Sequence, residues 1–586
     1  MRRALLFLLA LPFFEQAAFG QLTTASLTGN VTVSDAPAAG VTVTVSSPVL
    51  QHPRMTITNA RGRYWLDALP HGEYDVTFSR TGLTSLTRRA VLQVARTARA
   101  DATLEVSEDE DTVTSTARTP SVVDTFAVAT TFNAHTLDHL PVHREPIPVG
   151  SVAPATSASA VATLDDVFRG TEGLVPEDAL DEVTVVRGAL PVELERPTIA
   201  ARTRAPREQF FLTLRDTLTS TDWVDDRAAV IEQEDGVEHQ VDLTAGGRLV
   251  PQRLWFFGAT WLGDEADVER YDQRGTLLKL TGSLSATHTL TATYLDVRST
   301  LGRFSRREQD TTTLRYTGAY GPHATLDAQV TRLPTFNPAT LRGETTNVLD
   351  TRGSWFAGDH VLTGGGSHVR IPNGDLWSLF AADRWSAGKW NVYAGVRHRQ
   401  SPVETQTLPR LAVTYDVRGN ARHALTASYG RYAGFPGLMP VTAIGYAYAF
   451  AANGYARIDL VHRDVGSSEI YEAQLEGRYR LFDRFEAGGS YSYLDHNFFG
   501  GTHHATGWFG LELPFGRHEL GITVLQRFVN DRSEAETLAP TDLALRYSRP
   551  ISRTHVTVAA DWTNVLAVSA VNAESRALRF WVRLRL

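Results

Sequence analysis

Three histidines, His135, His139 and His143, follow one another at intervals of four residues. On a continuous helix that spacing lines imidazoles along one face, where they could ligate a metal. Pro141 falls between the second and third and interrupts such a helix. The three therefore read as ordinary surface histidines, and no metal site is assigned. His503-His504 is placed at a strand end or loop, without a catalytic partner in view. GxSxG, HExxH and phosphate-loop patterns are missing, and scattered Ser, His and Asp do not define a triad. Cysteine is absent from the 586 residues, which removes disulfides, thiolate zinc sites and iron–sulfur clusters. No catalytic residue and no cofactor follow, and the chain reads as a non-enzyme.

The remaining chemistry is that of surfaces and strands. With 57 Lys+Arg against 65 Asp+Glu, the formal charge is −8, without the basic excess of a nucleic-acid protein. Hydrophobic residues make up 42% and charged residues 21%, a globular balance and not a disordered one. The length would hold about four ordinary domains. Residues 1–20, MRRALLFLLALPFFEQAAFG, have the charged start, short apolar run and small residues of a secretory signal peptide, with cleavage expected between Gly20 and Gln21. No later apolar run is long enough for a membrane helix.

Residues 21–106 alternate in short β-runs. Val41–Val45 and Tyr74–Phe78 keep period two, and NARG and LPHGE mark turns. Short strands separated by such turns predict a sandwich. The order AGVTVTV then NARGRYWLDALPHGEYDVTF resembles the carboxypeptidase-regulatory-like domain. That resemblance implies an Ig-like or starch-binding-like β-sandwich without peptidase chemistry, serving as a spacer or docking module or binding carbohydrate.

Residues 107–125 form an acidic, Ser/Thr-rich linker with four carboxylates in Glu108–Asp111. Asp111, Thr112, Val113, Thr114, Ser115, Thr116 and Ala117 (DTVTSTA) resemble the TonB box of TonB-dependent outer-membrane receptors. In that family a periplasmic energy transducer captures a mobile, β-prone strand by edge addition, so the strand is expected to be free. Residues 126–205 contain EDALDEVTVVRGALPVE, similar to the signature of receptor plug domains. The resemblance gives Arg187 and Gly188 the role of seating the plug in its barrel. TIAARTR (198–204) lacks the glycine pair usual there, and the segment is only about 80 residues long, so a reduced plug is expected.

Residues 206–586 become segments of roughly ten alternating residues, near the length a tilted strand needs to cross a bilayer. Tyr471, Ala473, Leu475, Gly477, Tyr479 and Leu481 point one way, and Glu472, Gln474, Glu476, Arg478 and Arg480 the other. Leu578, Phe580, Val582, Leu584 and Leu586 likewise oppose Arg579, Arg583 and Arg585. A soluble sheet would turn the charge outward, whereas a membrane barrel turns it into a wet lumen. Consecutive segments with no helical interlude favour the barrel, of about 22 antiparallel strands. Trp255, Trp261, Trp390, Tyr429, Tyr479 and Trp562 near segment ends are expected to form interfacial girdles.

The predicted fold is thus all-β: sandwich, small plug fragment and C-terminal transmembrane barrel. The order resembles the Oar-like subgroup of TonB-dependent receptors over essentially the whole chain. It implies a Gram-negative outer-membrane location with the N-terminal domain periplasmic. The implied partners are outer-membrane lipid, a TonB-type transducer and the outer-membrane assembly machinery, which Phe580 and Trp581 partly serve in place of a terminal aromatic. The implied function is energy-coupled uptake of a small or oligomeric ligand of siderophore, carbohydrate or peptide class. A structural or adhesive outer-membrane protein, or a passive pore with a vestigial plug, is the alternative. The stretch 433–454 shows no clear alternation and is expected to be an extracellular connector. Its Tyr446, Tyr448 and Phe450 are either ligand contacts or strand residues packed on neighbours.

Overall fold

The computed structural model describes residues 24–586 except 94–95, 107–111, 116–125, 142–160, 169–174, 189, 196, 221–236, 266–270, 302–304, 338–341, 372–373, 403, 435–436, 452–453, 466–467, 482–483, 497–499, 532–536, 539–540, 553 and 564–576. The proposed signal peptide, Asp111, Thr116, Ala117 and His143 lie outside the described residues.

The N-terminal unit is a sandwich of two sheets. One centres on Ala25–Val33 and Arg63–Leu69, and the other runs through Ser85–Leu92, Gly72–Ser79, Thr42–Ser46 and Arg54–Ile57. Period two sends Val43, Val45, Tyr74, Val76 and Phe78 into the space between the sheets, where they join Leu27, Val31, Tyr64 and Leu69 in a closed core. Burying these side chains is the main force holding so small a unit together.

A third five-stranded sheet follows, built from Val128–Asn133, Leu180–Gly188, Thr198–Thr203, Val161–Leu164 and Val167–Phe168. Thr198–Thr203 is buried at every position, as befits a strand covered on both faces. One short helix, Ala134–His139, packs beside it. Asn133 caps the helix, its side chain accepting the Thr136 N–H, and extended Leu140 ends it just before Pro141.

Twenty-two antiparallel strands, from Phe211–Ser220 to Ala577–Arg585, close into a barrel around this sheet. The seam is the pairing of first and last strands, Thr213 opposite Arg585 through Ser220 opposite Leu578. At one rim the connections are short, among them 286–287, 358–359 and 388–389. Gly358 and Gly388 take the positive φ these tight turns need. At the other rim successive strands end farther apart along the chain, Ser220 and Val237 being one such pair and Thr563 and Ala577 another.

The charged face of each strand points inward. Leu475 is 50% exposed on the outer wall while its neighbour Glu476 is 7% exposed on the inner one. The same inversion runs around the circumference, with leucines and aromatics outside and Arg215, Gln329, Arg397, Thr523 and Asp542 buried inside. An apolar outer wall around a polar interior is stable in lipid.

Two expectations about aromatics need correction. Trp390, Tyr429 and Trp562 do face outward, but Trp255 and Trp261 are buried inside the barrel. Trp255 donates to Glu208. Trp261 lies against Gly275, where any Cβ would collide with the indole. Phe580 is exposed outside, whereas Trp581 turns inward beneath Arg215, whose guanidinium carbon stands 4.3 Å from the ring centroid.

Candidate functional site

The interface between plug sheet and barrel wall holds many buried charges, and Arg187 sits within it. Leu180–Gly188 is the plug's central strand, and Gly188 ends its ladder opposite Val128. Arg187 is 3% exposed. Its guanidinium donates to Thr130 Oγ1 at 2.8 Å and to Glu476 Oε2 at 3.3 Å. Thr130 donates to the same carboxylate at 2.6 Å, and Tyr455 donates to its other oxygen. A buried carboxylate so surrounded has its charge neutralised and its lone pairs filled, which a buried ion needs. Arg187 thus joins two plug strands to the wall strand Ser468–Leu481.

Beyond Gly188 the chain forms a hook, Leu190–Glu195, that two wall arginines grasp. Arg410 donates to the carbonyls of Leu190, Pro191 and Leu194. Arg397 donates to Val192 and Glu193 carbonyls at 2.9 and 3.2 Å and to Glu195 Oε1 at 3.0 Å. The Tyr432 and Tyr393 hydroxyls accept the Leu190 and Val192 N–H groups. On the far side of the plug, the turn Asp165-Asp166 has positive φ at both residues. Asp165 pairs with Lys279 at 2.9 Å, and Asp166 with Arg202 and Arg315. Burial would raise the Asp165 pKa, but the charges of Lys279 and Arg202 and bonds from Thr203 and Lys279 hold it down at about 2. Arg583 reaches Asp138 and Asp178 from the last strand. The plug sheet is tied to the wall on several sides.

The sandwich docks at the short-turn rim. Asn59 donates to the Gly358 carbonyl at 2.7 Å and Thr56 to that of Pro322 at 3.0 Å, and Arg61 and Arg63 pair with Asp359. Asp67, buried, meets Arg352 at 3.0 Å and accepts from Ser354. Burial opposes its ionisation, yet Arg352 and the hydroxyls keep its pKa below the ordinary value. Trp65 packs with Phe356 and Val361. His71 bonds Asp181 of the plug at 2.9 Å. Burial works against the His71 cation, but Asp181 with Glu182 raises its pKa, and Asp181 is in turn lowered to about 2. Between sandwich, plug and barrel lies a cavity of about 210 Å³, lined by His52, His71, Asp165, Lys279 and Arg315 among others. It is smaller than the about 300–1,000 Å³ of small-molecule sites.

The TonB-box-like strand is not free. Thr112–Ser115 adds in parallel to the edge of the sandwich, Thr112 opposite Ser85 through Ser115 opposite Arg88. One edge of this strand is therefore already engaged.

Tyr446, Tyr448 and Phe450 do not lie in a long connector. They belong to the strand Gly437–Ala451, close to its short-turn end, with side chains on the outer wall and Val441, Ala443, Ala447 and Ala449 alternating inward. Tyr446 bonds His423 at 2.7 Å, Tyr448 stacks on the same imidazole at 4.5 Å, and Phe450 lies 5.6 Å from Tyr479. His288 with Tyr316 and Tyr320, and His518 with Phe515 and Tyr547, repeat the arrangement at other short turns. This is an interfacial belt. Trp390 beside Tyr415 belongs to it as well.

Arg397, the grip of Arg410 on the hook and the Asp165-Asp166 turn were not among the features singled out in the sequence. Inward-facing arginines on barrel strands were visible there, but their partners lie some 200 residues away along the chain.

Comparison with known proteins supports the resemblance at two levels. The family described as carboxypeptidase regulatory-like domain matches residues 26–105. Over 92 residues the chain is 36% identical to the TonB-dependent transporter Oar of Myxococcus xanthus, a match spanning 16% of this chain and only 9% of that protein. Among solved structures, the siderophore receptor PirA from Acinetobacter baumannii matches at TM-score 0.61 and 10% identity, covering 78% of this chain and 98% of its own. PirA from Pseudomonas aeruginosa gives TM-score 0.62 and 11% identity, with 78% and 99% covered. The ferric-catecholate import receptor Fiu from E. coli K12 gives 0.61 and 10%, with 79% and 97% covered. At such identities the shared property is the fold, a barrel with a plug inside it.

Proposed function

We propose that the chain is a TonB-dependent receptor of the Gram-negative outer membrane, importing a ligand with energy supplied through a periplasmic transducer. One observation carries this reading: a plug sheet ion-paired to the inner wall of a closed 22-strand barrel, with DTVTSTA placed just ahead of it in the chain. A barrel built only for structure or adhesion has no need of a separate folded sheet held by so many reversible polar bonds. The short-turn rim, where the sandwich docks, is the periplasmic side, and the sandwich serves as a docking module. The ligand is of siderophore, carbohydrate or peptide class. Tyr446, Tyr448 and Phe450 are assigned to the lipid interface and not to the ligand.

In this reading the transducer captures Thr112–Ser115 by edge addition, either along the edge facing away from Ser85–Leu92 or by displacing that pairing. Deleting residues 111–117 tests it. The barrel should assemble as before, while energy-dependent accumulation of the transported nutrient is lost. Unchanged uptake by an assembled deletion variant would favour the passive pore, and no uptake by either form would favour the structural or adhesive protein.

A further inference from the structure

The helix Ala134–His139 turns two imidazoles toward one part of the barrel wall, and their hydrogen-bond geometry is unusually constrained. His135 and His139 stack with ring centroids 4.3 Å apart. His139 Nδ1 lies 2.5 Å from the His135 carbonyl oxygen. A carbonyl only accepts, so Nδ1 holds the proton and, in the neutral ring, Nε2 presents a lone pair. That Nε2 touches Glu512 Oε1. His135 repeats the pattern: its Nδ1 faces Glu486 Oε2 at 3.4 Å, and its Nε2 stands 3.6 Å from the same Glu512 Oε1. Glu519 makes contact with Glu512 as well.

Both rings therefore direct Nδ1 at an acceptor and Nε2 at one carboxylate oxygen. The His139 lone pair and the neighbouring carboxylates converge on a point and repel one another. Protonating both rings would relieve this only by stacking two cations face to face. A single divalent ion supplies the missing positive charge in one place. Histidines that ligate metals characteristically give their other ring nitrogen to a carbonyl or carboxylate; His139 already does so, and His135 Nδ1 stands 3.4 Å from Glu486.

We propose that His135, His139 and Glu512 bind a first-row divalent cation, Zn²⁺ above all, which clasps the plug helix to the barrel strand Gly500–Phe515. Two imidazoles and a carboxylate suit Zn²⁺ better than Ca²⁺ or Mg²⁺, which prefer all-oxygen sites. The ligand atoms lie within 4.8 Å of one another. In a tetrahedral zinc site they stand about 3.3 Å apart, close to the 3.6 Å between His135 and Glu512. Glu519 or a water completes the set. Glu486 is held by Arg478 and so acts as the outer partner of His135 and not as a ligand. Pro141 limits the set to two histidines: the helix ends at His139. The site opens toward the short-turn rim, because Glu512 and Glu519 are three and one residues from the ends of their strands at the turn 516–517. The assignment does not depend on the receptor reading.

The test uses the full chain in detergent, stripped with a chelator and titrated with Co²⁺ and Zn²⁺. His462, Asp464 and Glu469 form a second, more exposed cluster, so His462→Ala separates the two. The wild type and His462→Ala should show the visible absorption of four-coordinate Co²⁺, displaced by Zn²⁺, and His139→Ala and Glu512→Gln should lose it. Zn²⁺ should also slow amide exchange over 134–139 in the wild type and not in Glu512→Gln. Heat-modifiable migration on gels shows whether each variant's barrel is folded. Should His139→Ala misfold, folded Glu512→Gln answers alone, since it changes only the wall side. A wild type without the Co²⁺ absorption, or a Glu512→Gln variant that keeps it, overturns the proposal.

Discussion

The sandwich and the barrel are written in the same alternating code and read it with opposite signs. In the sandwich the apolar positions of Thr42–Ser46 and Gly72–Ser79 close a core and the polar ones face water. In the barrel the apolar positions of Ser468–Leu481 face outward and the charged ones pack inward. Period two fixes which residues share a face but not which face is inside. What decides the sign is the length of the run and the absence of turns within it. Five-residue strands cannot cross a bilayer, whereas fourteen-residue strands placed next to one another can.

The comparison can be broken most sharply in the sandwich. Val43 is fully buried, and Val43→Asp would place an unpaired carboxylate in a dry core. The expected loss exceeds about 4 kcal/mol. Limited proteolysis should then remove the N-terminal unit while the barrel keeps its heat-modifiable migration. Undiminished protease resistance would mean that the inner face of the sandwich is misassigned.

In the barrel the harmful direction reverses. Leu475 stands midway along its strand on the outer wall, so Leu475→Arg should cost about 2–4 kcal/mol, read as lower urea resistance of the folded barrel. Glu476 is the inward neighbour. Reading the strand alone predicts that even Glu476→Arg leaves assembly intact. The pairing with Arg187 changes this: Glu476→Arg would set two guanidiniums against each other and unseat the plug, and Glu476→Gln is the milder probe. Equal effects of Leu475→Arg and Glu476→Gln on barrel stability would sink the assignment of faces.

The smallest effect belongs to the plug, whose buried Asp165, Asp166 and Arg187 are each paired with an opposite charge. Asp165 has its pKa lowered from 3.8 to about 2. A depressed carboxylate stabilises the folded state above its unfolded pKa and loses that contribution as pH falls through the folded one. The plug should therefore lose about 2 kcal/mol between about pH 4 and pH 2. Asp165→Asn should flatten that part of the profile, measured by amide exchange of the plug strands, while the barrel seam is unaffected.

Alternation and strand number were legible in the sequence because each is local. The stretch 433–454 was misread for a local reason too. Its inward positions are small or apolar, since Leu190 and Leu194 of the plug hook pack there with Tyr432, Met439, Val441 and Ala443. No charged face remained to mark the period. Trp255 and Trp261 sit where girdle residues usually sit, and only the opposing strand, with Gly275, shows that the indole of Trp261 has room inside. The spacing of His135 and His139 was plain, but their carboxylate lies 373 residues beyond His139 and comes near only when the barrel closes.

The docking of Thr112–Ser115 on the sandwich also has a mechanical meaning. The strand is held by parallel pairing from Thr112–Ser85 to Ser115–Arg88. Tension along its axis would strain all of these bonds together, as in shear, whereas tension across the sheet would open them one after another, like a zip. The sheet that holds the strand is itself anchored to the rim through Asp67–Arg352 and Asn59–Gly358 and to the plug through His71–Asp181. A pull across the sheet would release the strand while leaving those anchors slack. A pull along it would be passed to the rim and the plug before the strand came free, so the direction of the force decides which joint yields first.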